Sequence, residues 1–268
     1  MTSRITSTFA KLKERNEAAL VAFITAGDPD IENTPALVAA LGKAGADIIE
    51  LGIPYSDPLA DGPTVQASSQ RALDRGVTPP MVLDIVRKAR ALSDVPLVLM
   101  TSYNLVLMYG LEKFAKDAVD AGADGAILTD LPPEEAGPWK TVADAAGIAT
   151  VFLVAPTSTP ERIKLITESS AGFVYCVSRT GVTGARHELP TDLVDLLKSI
   201  RSATDKPLCV GFGVSTPAHV AQIAGAADGA VIGSALVDFL HKNASDPDRD
   251  AKLTELVSGW KAGTKKQG

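Results

Sequence analysis

Apolar residues recur along this chain in two alternating patterns. Short, near-continuous Val/Ile/Leu runs predict strands at Leu20–Thr25, Asp47–Gly52, Leu97–Met100, Gly125–Thr129, Thr150–Val154, Phe173–Val177, Leu208–Val210 and Ala230–Ile232. Continuous rather than alternating apolar strands are what a parallel sheet covered on both faces requires. Between them, apolar residues spaced three and four apart predict helices at Thr34–Ala44, Pro79–Leu92, Leu111–Ala121, Glu134–Ala146, Pro160–Thr167, Leu193–Ile200 and Pro217–Ala224. Pro35, Pro79, Pro80, Pro160 and Pro217 stand near helix starts, where a missing N–H removes no hydrogen bond.

One junction recurs. Ala44-Gly45-Ala46-Asp47 and Ala121-Gly122-Ala123-Asp124 each close a helix with glycine and launch a strand, and Gly225-Ala226-Ala227-Asp228-Gly229 is a looser copy. Strict strand–helix alternation implies a parallel sheet. Eight such units favour a closed barrel over an open Rossmann sheet, and no GxGxxG follows the first strand. The chain therefore reads as a single (β/α)₈ TIM barrel over residues 1–268, with 1–16 as an extra N-terminal helix capping the barrel bottom and 263–268 as a frayed tail.

Composition narrows the function. The formal net charge is −6 and no basic stripe with interleaved aromatics is present, which argues against nucleic acid as a partner. Met1–Glu17 has no apolar core of the signal-peptide kind, and no apolar run approaches the ~20 residues of a bilayer span. The two cysteines, Cys176 and Cys209, lie in apolar strand-like runs without a CxxC neighbour, the pattern of buried thiols in a reducing cytoplasm. His187, His219 and His241 show no ligand spacing, so no metal is expected.

In a barrel, chemistry sits at the C-terminal ends of the strands and in the loops after them. If Ile49 and Leu51 face the helices, Ile48, Glu50 and Gly52 face the interior. Glu50 is then a carboxyl group above an apolar layer, with its pKa raised as a proton shuttle needs, unless a neighbouring Arg or Lys neutralises it. In the loop that follows, Asp57 precedes proline and reads equally as a turn residue. Asp61, where the chain returns to the rim, pairs with Glu50 as a second carboxylate in a different environment. Glycine clusters after three later strands, around Gly181 and Gly184, Gly211 and Gly213, and Gly233-Ser234, are either tight turns or a phosphate cradle beside a short helix. No strand-end lysine is placed for a Schiff base.

These residues also resemble a known family. Ile49–Gly62 is similar to the signature of the tryptophan synthase alpha subunit, as are Thr25–Pro29, Ser178–Gly184 and Gly211–Gly213, with the likeness running from about Phe9 to Phe239. The resemblance implies a carbon–carbon lyase that cleaves indole-3-glycerol phosphate to indole and glyceraldehyde 3-phosphate in tryptophan biosynthesis. By that likeness Glu50 protonates C3 of the indole and helps deprotonate the glycerol hydroxyl, while Asp61 holds the indole N–H. It implies that Gly184, Phe212, Gly213, Gly233 and Ser234 hold the phosphate. Phe23, Met100, Ile127, Thr129, Leu153 and Tyr175 match the indole pocket, and Arg179 and Thr183 lie in the loop over it.

The resemblance also implies a partner, a pyridoxal-phosphate beta subunit in an α₂β₂ heterotetramer. No cofactor is expected in this chain. Asp57, Pro58 and Asn104 are expected to face the partner. One position departs from the family: Ser102 stands where tyrosine is usual, beside an intact Tyr103. Two other readings stay open at this point, a stand-alone indole-3-glycerol phosphate lyase and a non-catalytic regulatory phosphate-binding subunit.

Overall fold

A computed structural model describes residues 3–59, 61–177, 189, 191–211 and 213–266. Among them, nine parallel strand segments form one sheet. They are β1 (Ala19–Thr25), β2 (Ile48–Gly52), β3 (Leu97–Thr101), β4 (Gly125–Leu128), β5 (Ala149–Thr150), β6 (Leu153–Val154), β7 (Val174–Val177), β8 (Leu208–Gly211) and β9 (Gly229–Ile232). The order is β5-β4-β3-β2-β1-β9-β8-β7-β6, so the sheet's two ends are neighbours in sequence.

Those ends are the halves of the expected fifth strand. Between them, Val151 N–H donates to Ala126 O (3.0 Å) and Tyr175 N–H donates to Phe152 O (3.1 Å). The segment 149–154 thus bonds β4 with its first half and β7 with its second, and the ring closes. Eight strands were expected; the change of partner at Val151–Phe152 makes nine hydrogen-bonded segments.

The helices are α1 (Arg4–Glu14), α2 (Thr34–Ala44), α3 (Pro63–Asp74), α4 (Pro79–Leu92), α5 (Tyr103–Tyr109), α6 (Leu111–Ala121), α7 (Gly137–Ala146), α8 (Pro160–Ser169), α9 (Thr191–Ala203), α10 (Pro217–Ala224), α11 (Ser234–Lys242) and α12 (Arg249–Ala262). Helices α2, α4, α6 and α10 match their predicted bounds. Helix α7 starts later than its apolar pattern implied, because 133–135 form a turn that begins at the second of two prolines. Helix α3 was not anticipated: two of its four buried positions are Ser68 and Ser69, so its inner face has no apolar period. None of these helices is long and apolar enough to cross a membrane.

Alternation along the strands splits the core in two. Leu20, Ile24, Ile49, Leu51, Leu97 and Leu99 pack outward against the helices. Val21, Ile48, Val98, Ile127, Val151, Tyr175, Cys209 and Val231 fill the barrel, and Ile5, Phe9 and Leu12 of α1 plug its lower end. The bottom cap expected over 1–16 is therefore a helix of 4–14.

The recurrent Asp has a defined task at that lower end. Asp47 accepts from Leu20 N–H (2.7 Å), Asp124 from Leu97 N–H (2.9 Å) and Asp228 from Leu208 N–H (3.0 Å), each reaching from the start of one strand to the start of the preceding one. The Ser170 hydroxyl takes the same place for Phe152 N–H (3.3 Å). Each Asp is also neutralised, Asp47 by Lys261, Asp124 by Arg90 and Arg4, and Asp228 by Arg201 and Lys266. The tail expected to fray is pinned over 264–266. Thr264 is fully buried and its carbonyl accepts from Ala18 N–H, and Lys266 N–H donates to Asn16 O. Burial and strand-like pairing outweigh its polar composition there.

Candidate active site

The candidate site lies at the upper ends of β1–β4 and β6–β9. Glu50, the third residue of β2, is fully buried, and neither carboxyl oxygen has a hydrogen-bond partner. Among the described residues no Arg or Lys pairs with it. Burial alone pushes its pKa from 4.5 up to about 8. Asp61 lies in the loop before α3, partly buried, and desolvation raises its pKa from 3.8 to about 6. Both carboxylates push the Tyr175 phenol further up, after burial itself, so the three groups share one electrostatic neighbourhood. At neutral pH this pair offers one neutral carboxylic acid and one carboxylate, a division of labour suited to proton transfer.

Around Glu50 the barrel is apolar. Ile127 and Tyr175 are buried in the interior cluster with Met100 and Leu153 packed on it, and Phe23 packs with Met100 above. Val65 of α3 and Val237 of α11 complete that upper layer. Sequence reasoning missed both, because a valine on a helix reads as ordinary core; the signal available for Val65 was Pro63, which starts a helix directly after Asp61. Gly52 leaves room for Phe23, whose ring a β-carbon would meet at 2.9 Å. Thr129, at the end of β4, donates through its hydroxyl to Thr101 O (3.4 Å) and bonds the Tyr55 hydroxyl (3.3 Å).

On the far side of the mouth, Gly233 precedes α11 without a side-chain cap, so the first turn of a nine-residue helix opens toward the rim. Gly213, after β8, takes a left-handed φ of +58°. Gly213, Gly233 and Ser234 thus lie on the rim beside a helix N-terminus, whose partial positive charge suits an anion. Gly184, Phe212, Arg179 and Thr183 lie outside the described residues.

Asp57 and Asn104 are exposed and Pro58 is partly so, on the loops after β2 and β3. Near them in sequence, Leu59, Leu107 and Met108 are 92, 51 and 78 % exposed. Ser102 is buried at the start of α5, and the N–H of Tyr103 is bonded by the Asp130 carboxylate (2.6 Å). Past the upper end of β1, the buried Asp28 carboxylate ties down α3, taking Arg71 in a two-pronged bond (2.9 and 2.6 Å). A cleft of about 380 Å³ lies instead at the barrel bottom, near Lys11, Arg15 and Lys43. Those cations stand at the C-terminal ends of α1 and α2, where they answer the helix dipoles. Among the described residues no cluster of His, Cys, Asp or Glu could hold a metal ion.

A family model described as tryptophan synthase alpha chain matches residues 9–265. The chain belongs to the tryptophan synthase alpha chain family. It is 50 % identical to the tryptophan synthase alpha chain of Geotalea daltonii over 260 residues, 97 % of this chain and 98 % of that protein. Its fold superposes on the crystal structure of tryptophan synthase subunit alpha from Legionella pneumophila with a TM-score of 0.91 at 37 % identity, covering 98 % of this chain and 99 % of that one. A chain in the structure of Mycobacterium tuberculosis tryptophan synthase matches with a TM-score of 0.91 at 38 % identity, covering both chains fully. These neighbours bear out the TIM barrel. As a tryptophan synthase alpha chain, the protein is the lyase component of an enzyme of tryptophan biosynthesis.

Proposed function

We propose that this chain cleaves indole-3-glycerol phosphate to indole and glyceraldehyde 3-phosphate, with Glu50 and Asp61 as its catalytic residues. The observation that carries the reading is Glu50: a carboxyl group fully buried at the mouth, with no hydrogen-bond partner among the described residues. In its neutral form it delivers a proton to C3 of the indole ring, which makes an indolenine. Asp61, ionised at neutral pH, stabilises the positive charge that develops at the ring nitrogen. The Glu50 carboxylate then takes the proton of the glycerol hydroxyl next to the ring. The carbon–carbon bond breaks, an aldehyde forms, and the bonding electrons restore the aromatic indole. An acid, a base and an electron sink in the substrate complete the step, and each proton transfer is worth roughly 10²–10⁴-fold.

Phe23, Met100, Ile127, Thr129, Leu153 and Tyr175 form the apolar slot for the ring. Gly213, Gly233 and Ser234, joined by Gly184 and Phe212, hold the phosphate, and Arg179 and Thr183 close over it. Anchoring the phosphate away from the breaking bond supplies positioning. On this reading the chain works as one domain in the cytoplasm and holds no cofactor of its own. Its partner is a pyridoxal-phosphate beta subunit in an α₂β₂ assembly, met by Asp57, Pro58 and Asn104 together with the exposed Leu59, Leu107 and Met108.

The test is indole release from indole-3-glycerol phosphate by the wild type and by Glu50→Gln, with and without beta subunit. The wild type is expected to act slowly alone and faster with partner, and Glu50→Gln to lose at least ~10²-fold. No indole from the wild type in either condition would overturn the reading.

A further inference from the structure

Asp61 lies near the end of the loop between β2 and α3, and its place depends on how that loop is held. Its N–H donates to Pro58 O (3.0 Å). Its own carbonyl accepts from the side-chain amide of Gln66 (2.8 Å), and the same amide nitrogen also donates to Pro58 O (3.3 Å). The peptide groups on both sides of the Asp61 α-carbon are therefore bonded. Two fixed peptide planes set the direction in which a side chain leaves the backbone. Burial accounts for the raised Asp61 pKa, with no hydrogen bond to the carboxylate among the described residues. What those residues hold is the backbone of Asp61.

Gln66 is exposed in the first turn of α3, where its N–H donates to Gly62 O (3.0 Å). A helix start leaves N–H groups unsatisfied, and Gln66 bonds carbonyls, so its side chain serves the loop and does not cap the helix. The helix itself is tied to β1. Val65 packs with Phe23 and Met100 in the upper layer. Ser68 is fully buried; its hydroxyl donates to Val65 O (3.0 Å) and accepts from the Thr25 hydroxyl at the end of β1 (2.5 Å). Arg71 grips Asp28 just past that strand. In turn β1 pairs with β2, with Phe23 level with Glu50. A continuous chain of bonded elements thus runs from Glu50 through β1 and α3 to Gln66, and from Gln66 to the backbone of Asp61.

We propose that Gln66 is a positioning residue for the lyase step: by bonding the carbonyls of Pro58 and Asp61 it holds the Asp61 carboxylate in fixed relation to Glu50 across the mouth. The inference rests on the reading of Asp61 as catalytic. Charge at the indole nitrogen develops in the transition state, so a misdirected Asp61 lowers kcat and leaves KM nearly unchanged.

The experiment is indole release from indole-3-glycerol phosphate by the full chain, alone and with saturating beta subunit, for the wild type, Gln66→Leu, Asp61→Asn and the double variant, with thermal melts of each. Leucine keeps much of the bulk of glutamine and removes both donors. In the chain alone, Gln66→Leu is expected to lower kcat roughly three- to tenfold, the worth of one neutral hydrogen bond, with KM within about twofold. Because Gln66 is exposed, its Tm should stay within about 2 °C of the wild type. In single turnovers with enzyme in excess, which read slow residual rates, Gln66→Leu/Asp61→Asn should be within about twofold of Asp61→Asn. An unchanged kcat in Gln66→Leu overturns the proposal, as does a kcat loss that comes with an equal rise in KM or with a lowered Tm. Losses that multiply in the double variant overturn it too, since Gln66 would then act on something other than Asp61. A wild type that releases no indole in either condition refutes the lyase reading itself, a different result from an active wild type indifferent to residue 66.

Discussion

Glu50 shows how a side chain is chosen by a strand's period. Its inward direction was legible because Ile49 and Leu51 had to face the helices, and its isolation followed from a segment without a basic residue. What the sequence could not show was the reach of partners far along the chain: Tyr55 to Thr129, Arg71 to Asp28, and the closure of the slot by Val65 and Val237. The buried carboxyl also has a thermodynamic consequence. Its pKa rises from 4.5 to about 8 on folding, so the folded state holds the proton more tightly. Stability is then undiminished below pH ~4.5 and falls as pH rises to about 8, where the folded group ionises too. The full loss is on the order of 5 kcal/mol by linkage. Glu50→Gln keeps the shape and removes the titration. Its melting temperature is expected to gain on the wild type progressively from pH 5 to pH 9. A difference between the two proteins that stays constant over that range would mean that Glu50 is solvated or paired in the folded chain.

At the scale of elements, helices with a clean apolar stripe were readable to the residue, as α2, α4, α6 and α10 show, the first, second and fourth of them with a proline at the start. Helix α3 was not, because its inner face is held by Ser68, Ser69 and the Arg71–Asp28 pair rather than by an apolar period. The fifth strand was legible as one run, but not its change of hydrogen-bonding partner, which depends on the register of two neighbours. The recurrent Asp was legible as a junction, and only the structure shows that it ties successive strands at their starts. Asp124 is the most enclosed of the three: it takes Leu97 N–H, Arg90 at 2.8 Å and Arg4 at 3.0 Å, with its side chain 6 % exposed. Removing it leaves a mostly buried guanidinium and a buried N–H without their acceptor. Asp124→Ala is therefore expected to cost about 3–5 kcal/mol in urea unfolding. Because the clamp sits at the end opposite the mouth, KM for substrate should stay unchanged. A loss below ~1 kcal/mol would show that Arg90, which also bonds Gly122, Ser93 and Val95 carbonyls, holds the junction unaided.

The whole molecule divides stability and chemistry between the two ends of one barrel. The lower end is sealed by α1, by paired Asp residues and by a tail bound at Thr264 and Lys266. The upper end keeps an acid that is unpaired among the described residues, an uncapped helix start and side chains exposed to solvent. Among these, Met108 and Leu107 project from α5 and Leu59 from the β2 loop, which also carries Asp57 and leads into Asp61. Large apolar side chains exposed beside the loop that leads to Asp61 suit a protein partner, since their burial is worth about 25 cal/mol per Å². A beta subunit seated there would touch the loop that ends in Asp61, and so bear on the lyase step through the order of that loop. Met108→Asp places a charge in the proposed contact and leaves the loop's own residues in place. The ratio of indole release with and without beta subunit, measured over a titration of the partner, should shift to at least ~10-fold higher partner concentration, the worth of one buried apolar anchor turned polar. The same midpoint for Met108→Asp and wild type would move the partner's seat away from α5 and leave Leu59 and Asp57 as the remaining anchors to test.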